Sequence, residues 1–149
     1  MKGKFFLCIV FLFALTWLWP ALPGHCAAKT PEEFVGDFYA WYLQAGTGDA
    51  NALDDDEIFK YVARETMEYI RTSNAVEVDY FLQVGMMVSP WDEAQVIAQT
   101  AIPMANGFMV VPVTFKFRSD DWNRHVIVFV KQDGDSWSIF KVANIFPYL

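Results

Sequence analysis

The sequence predicts an α+β domain in which N-terminal helices pack on a curved four-stranded antiparallel meander. Three observations predict it. Apolar residues recur at spacings of three and four between Phe34 and Ile70, the pattern changes to alternation from Val96 onward, and turn residues punctuate the alternating runs at hairpin distances. Of 149 residues, 54% are hydrophobic, 17% aromatic and 19% charged, which suffices to fill one core.

The first 28 residues read as a separate targeting segment. Met1 to Lys4 is a short positive stretch, Phe5 to Trp19 is a 15-residue apolar run broken only by Thr16, and Pro20, Pro23 and Gly24 stop a helix there. Cys26-Ala27-Ala28 offers small residues for cleavage after Ala28, leaving residues 29–149 as a single domain in the periplasm or outside the cell. The run falls short of the roughly 20 residues a spanning helix needs, so no stable membrane insertion is expected after cleavage. Retention as an uncleaved anchor is the other reading. A lipoprotein is disfavoured by His25, which stands before Cys26 where a small residue is required.

Charge and residue usage exclude several functions. Lys+Arg 11 against Asp+Glu 18 gives −7, and without Lys2 and Lys4 the balance is 9 against 18, or −9, the wrong sign for a nucleic-acid or anionic-membrane binder. Cys8 and Cys26 both precede the cut, so the remaining chain has neither disulfide nor thiol nucleophile. His125 is then its one histidine, which excludes a zinc site built on two or three histidines of one chain. No metal or cofactor is implied.

The elements follow in order. Thr30-Pro31-Glu32-Glu33 has the form of a helix start, with Thr30 as N-cap, Pro31 at the first helical position and Glu33 closing a capping box. Phe34, Phe38, Trp41 and Tyr42 form an aromatic stripe on this helix through about Leu43, and it should lie against the sheet. Ala45 to Asp56 reads as a loop; Asp49-Ala50-Asn51 imitates a calcium loop, but Leu53 stands at the next ligand position and the pattern fails. A second helix is predicted from about Glu57 to Arg71, with Phe59, Val62, Ala63, Thr66 and Ile70 inward and Lys60, Arg64, Glu68 and Arg71 in solvent. Thr72-Ser73-Asn74 ends it, and Asp79-Tyr80-Phe81-Leu82 reads as a short turn or helix.

Strands follow. Val96, Ala98, Thr100 and Ile102 alternate in a first strand, and Ala105-Asn106-Gly107 supplies the turn. Met109, Val111, Val113, Phe115 and Phe117 mark the buried face of a second, with Val110, Thr114, Lys116 and Arg118 opposite and Pro112 signalling an edge or bulge. Ser119 to Asn123 turns into a third strand, Arg124 to Gln132, and Asp133-Gly134-Asp135 into a fourth, Ser136 to Ile145.

Trp137-Ser138-Ile139 followed by Val142, closing a helix-then-meander chain, resembles the last strand of nuclear transport factor 2-like or cystatin-like domains. Together with Pro31-Glu32-Glu33 through Phe38-Tyr39-Ala40-Trp41-Tyr42, and with Asp79-Tyr80-Phe81-Leu82-Gln83, it resembles an exported bacterial family of uncharacterised domains that includes type VI secretion amidase immunity proteins. The resemblance spans nearly all of residues 30–145 and implies an inhibitor of a peptidoglycan amidase in the periplasm. Its motifs are structural, and no inhibitory residue carries over.

Candidate sites fall into two sets. Trp91, Asp92 and Glu93, and Asp120, Asp121 and Trp122, place a tryptophan beside acids in connecting segments, which suits contact with another protein, favourably a basic one. The alternative for each indole is a lid folded over the core. The second set is a pocket between helix and sheet lined by Asp37, Tyr39 and Tyr42, where Asp37 would be a base and a tyrosine a hydrogen-bond donor; this supports a small-ligand binder as the alternative function. Ser119, Asp120 and His125 include triad residue types but lack a nucleophile-elbow sequence, so an enzyme is not expected. The apolar ending Ile145-Phe146-Pro147-Tyr148-Leu149 suits packing on the sheet or on a second copy, and self-association stays open.

Overall fold

Thr30 opens the first helix as its sequence dictates. Glu33 N–H donates to Thr30 Oγ1 (3.3 Å) and Thr30 N–H donates to Glu33 Oε2 (2.9 Å), so two otherwise orphaned donors are satisfied reciprocally. Helix α1 runs Pro31–Ala45 and buries Phe34, Val35, Phe38, Tyr39, Tyr42 and Leu43. The computed structural model describes residues 28–46, 51–73, 78–85, 91–118 and 123–145. The targeting run, Asp49-Ala50, the 119–122 turn and the apolar tail from Phe146 lie outside them.

The second helical region departs from the expected single helix. A 3-10 turn spans Asp56–Lys60 and helix α2 spans Arg64–Thr72, separated by an extended step at Val62. There the last strand competes for the backbone: Ala63 N–H donates to Ile139 O (2.9 Å), and Ile139 N–H donates to Tyr61 O (2.7 Å). Those sheet bonds replace intrahelical ones and seat Ile58 and Val62 in the core at 0% and 2% exposure. The inner face changes accordingly. Val62, Ala63 and Thr66 are buried as expected, joined by Ile58 and Met67, whereas Phe59 and Ile70 are half-buried. Lys60, Arg64, Glu68 and Arg71 are exposed as their placement predicts.

The Asp79 segment is a turn. Strands β1 (Val78–Asp79) and β2 (Val84–Gly85) pair antiparallel around it, and Asp79 Oδ1 accepts from the N–H groups of Phe81 and Leu82, both at 2.8 Å.

Among the described residues the sheet has five antiparallel strands: β3 (Gln95–Ala98), β4 (Ile102–Pro103), β5 (Phe108–Lys116), β6 (Arg124–Asp133) and β7 (Ser136–Asn144). Their order is β3-β5-β6-β7, with β4 also on β5, so the expected first strand is two short pieces on one edge of the meander. Pro112 explains the break. Gln99 N–H donates to Pro112 O (2.8 Å), so the backbone of Pro112 faces this edge, where proline has no N–H to give. Between the pairs Ala98↔Val113 and Ile102↔Val110 the edge carries one residue more than β5, a bulge opposite the proline. The N–H of Ala101 in this bulge is taken by Glu32 Oε1 of α1. Asn106 and Gly107 turn the chain into β5 at φ 61° and 73°. Between β6 and β7, Gly134 has φ 60° in a two-residue loop, and a bulge places Phe140 as the extra residue between Lys141 and Ile139.

Both helices contribute to one core on one side of this sheet. Phe38 lies at its centre with ring centroids 4.9 Å from Tyr39, 5.4 Å from Tyr42 and 5.0 Å from Phe81, above Val111, Val113 and Phe115.

Candidate functional site

The first candidate loop is positioned by aromatic packing. Trp91–Glu93 forms a 3-10 turn ahead of β3, and the Trp91 ring meets Phe115 edge-on at 5.5 Å and Phe117 at 5.0 Å. The indole therefore rests on the end of the core and keeps only part of its surface in solvent. Glu93 pairs with Arg118 at 3.6 Å, both side chains well exposed, which ties the turn to the end of β5 with little energy. Asp92 belongs to the same turn. Asp120, Asp121 and Trp122 belong to the connection between β5 and β6, outside the described residues.

Asp37, Tyr39 and Tyr42 are not brought together. Asp37 is on the outer side of α1, paired with Lys29, whose pKa that contact raises. Tyr39 is fully buried and donates to Phe81 O (2.9 Å); Tyr42 donates to Asp79 Oδ2 (2.8 Å). Burial, reinforced by the Asp79 carboxylate, pushes both phenols well above their ordinary range. Helical spacing is the reason for the separation, since position 37 is on the opposite face from 39 and 42. These tyrosines already spend their hydroxyl protons on protein acceptors, so a base and donor facing one ligand is not what the geometry makes. His125 is likewise engaged, its Nδ1 3.0 Å from Thr114 Oγ1.

A surface that loop-centred reasoning missed lies on the far side of the sheet. Register places Ile97, Ile102, Val110, Ile127, Phe129 and Ala143 on the face opposite the core, where each is partly or largely exposed and none belongs to the core cluster. Phe108 and Phe140 meet edge-on at 5.5 Å on the same face, with the Lys131 ammonium 5.4 Å and 5.8 Å from their centroids. Lys116 and Lys141 occupy outward positions at its margins. The signal was present: β5 and β6 are apolar at both parities, as strands covered on both faces are.

No family model matches the chain, and no curated protein does. Among solved structures it is similar to the immunity protein in the crystal structure of the type VI native effector-immunity complex Tae3-Tai3 from Ralstonia pickettii. The identity is 30%, the TM-score is 0.65, and the match covers 80% of this chain and 98% of that one. The chain belongs to the Tai3 immunity-protein family. The match takes in essentially the whole of the Tai3 chain. Among the described residues, no helix is long and apolar enough to cross a membrane.

Proposed function

We propose that this protein is a periplasmic immunity-type inhibitor that binds a peptidoglycan amidase and occludes its cleft, on a domain of nuclear transport factor 2-like or cystatin-like form. The observation that carries the reading is the kinship with an immunity protein solved in complex with its effector. The 15-residue apolar run and the small residues before Lys29 support export, which would put the inhibitor where the cell wall is. Occlusion needs no reactive group of its own, in keeping with an enzyme being unexpected from the sequence. Trp91, Asp92 and Glu93, together with Asp120, Asp121 and Trp122 of the β5–β6 connection, are the proposed contact residues. Their acidity favours a basic cleft rim and a fast encounter.

The test uses tagged residues 29–149 to capture partners from periplasmic extract, followed by mass spectrometry and an amidase assay on the recovered complex. An amidase recovered in stoichiometric amount and inactive while bound is the expected outcome. Trp91→Ala, which also removes packing on Phe115 and Phe117, and Trp122→Ala should weaken that complex, and a melting curve for each variant separates lost contact from lost stability. Failure to recover any amidase from extracts that contain one would reject the reading.

A further inference from the structure

The sheet face opposite the core combines three features. It is apolar in the middle, through Val110, Ile127 and Phe129. It has cations at its margins, through Lys116, Lys131 and Lys141, all exposed. It is poor in acids: Asp133, of the same outward parity as Lys131 at the hairpin end of β6, is the one acid in strands β3 to β7. This is the reverse of the chain at large, where acids outnumber cations 18 to 11. An apolar centre inside a charged rim is the anatomy of a protein-binding surface. Here the strands give the rim three cations against one acid.

We propose that this face is the main seat of the amidase, which meets it with an apolar patch flanked by carboxylates. The inference rests on the inhibitor reading above and adds where the partner sits and what its surface is. Charge complementarity selects the occupant: carboxylates opposite Lys116, Lys131 and Lys141 neutralise the rim. Two copies of this chain meeting face to face would instead bring both sets of lysines to one interface, with no strand acid beside them except Asp133. Area argues the same way. The segments 91–93 and 119–122 hold seven residues together, whereas a stable interface takes roughly 20–30 residues a side. Arg118 follows Lys116 by two residues and pairs with Glu93, so the acidic turn Trp91–Glu93 adjoins the Lys116 end of this face. The amidase must then be bipolar, basic at the cleft rim and acidic on the flank.

The test is a titration of the amidase recovered above with full-length mature chain, wild type and variants, combined with sedimentation of each chain alone. Phe129→Asp should weaken binding by about 100-fold or more, as loss of a central anchor does. The triple charge reversal of Lys116, Lys131 and Lys141 to Glu involves exposed side chains only, so it probes the same face even if Phe129→Asp fails to fold. It should slow association by about tenfold or more at low salt, an effect that salt removes. Wild-type affinity and association rate in both variants would overturn the inference while leaving the inhibitor reading intact. A wild-type dimer that Phe129→Asp dissociates, with amidase binding unchanged, would overturn it in favour of a second copy. If the wild type itself does not bind or inhibit the amidase, both fall.

Discussion

Replacing Asp79 by alanine tests how the Asp79 turn is held to α1. One carboxylate accepts three hydrogen bonds at 2.8 Å: Oδ1 from the N–H groups of Phe81 and Leu82, and Oδ2 from the Tyr42 hydroxyl. Phe81 is fully buried and Tyr42 6% exposed, so these donors have little access to replacement water. Hydrogen bonds to a charged acceptor contribute about 1.5–3 kcal/mol each, and partial hydration of the turn backbone puts the sum at about 3–5 kcal/mol. That is a large fraction of the roughly 5–15 kcal/mol by which a domain is stable. At about 4 °C per kcal/mol for a domain of this size, the melting temperature should fall by about 12–20 °C. Urea unfolding followed by tryptophan fluorescence and circular dichroism measures the same loss. Tyr42→Phe removes one of the three bonds and should cost about 1–2 kcal/mol. In a double-mutant cycle the two changes should be strongly non-additive, because after Asp79→Ala the hydroxyl has lost its acceptor. A cost for Asp79→Ala below about 1 kcal/mol, or full additivity with Tyr42→Phe, would refute the reasoning.

Two further predictions concern the helix that covers the sheet. Phe38→Ala empties the centre of the aromatic cluster and should cost about 3–5 kcal/mol, read from the shift in urea midpoint, while Lys60→Ala on the solvent side should leave the midpoint unmoved. The Ala101 N–H bond holds the Glu32 carboxyl below its ordinary pKa; stability from this contact is present above the ordinary glutamate value of about 4.3 and lost as pH falls through the depressed folded value. Glu32→Gln should therefore lose less stability than wild type across that acid window while being no more stable at neutral pH. Melting curves that stay parallel from neutral to acid pH would contradict it.

Where neighbours in sequence are also neighbours in space, the elements were legible. The capping box of Thr30 and Glu33, the aromatic stripe of α1, the Asn106-Gly107 turn and the alternation of Val111, Val113 and Phe115 each depend on a few adjacent residues. The break at Val62 was not legible, because it depends on the backbone of Ile139, far along the chain. Pro112 did announce an irregularity. Which strand would carry it depended on the side of β5 that faces the edge.

The candidate site divides along the same line. The acidic tryptophan segments and the resemblance to immunity proteins could be read from short runs of residues. That Trp91 rests on Phe115 and Phe117, and that Tyr39 and Tyr42 spend their hydroxyls on Phe81 O and Asp79, required the packed core.

The sequence by itself determined the fold class, the acidic balance and the absence of cysteine chemistry downstream of Ala28, because periodicity and composition are properties of the chain. Only the tertiary structure decided which parity of β5 and β6 meets the helices. Both parities are apolar, and it is the docking of α1 and α2 on one side that puts Val111, Val113 and Val128 in the core and Ile127, Phe129 and the three lysines on the opposite face.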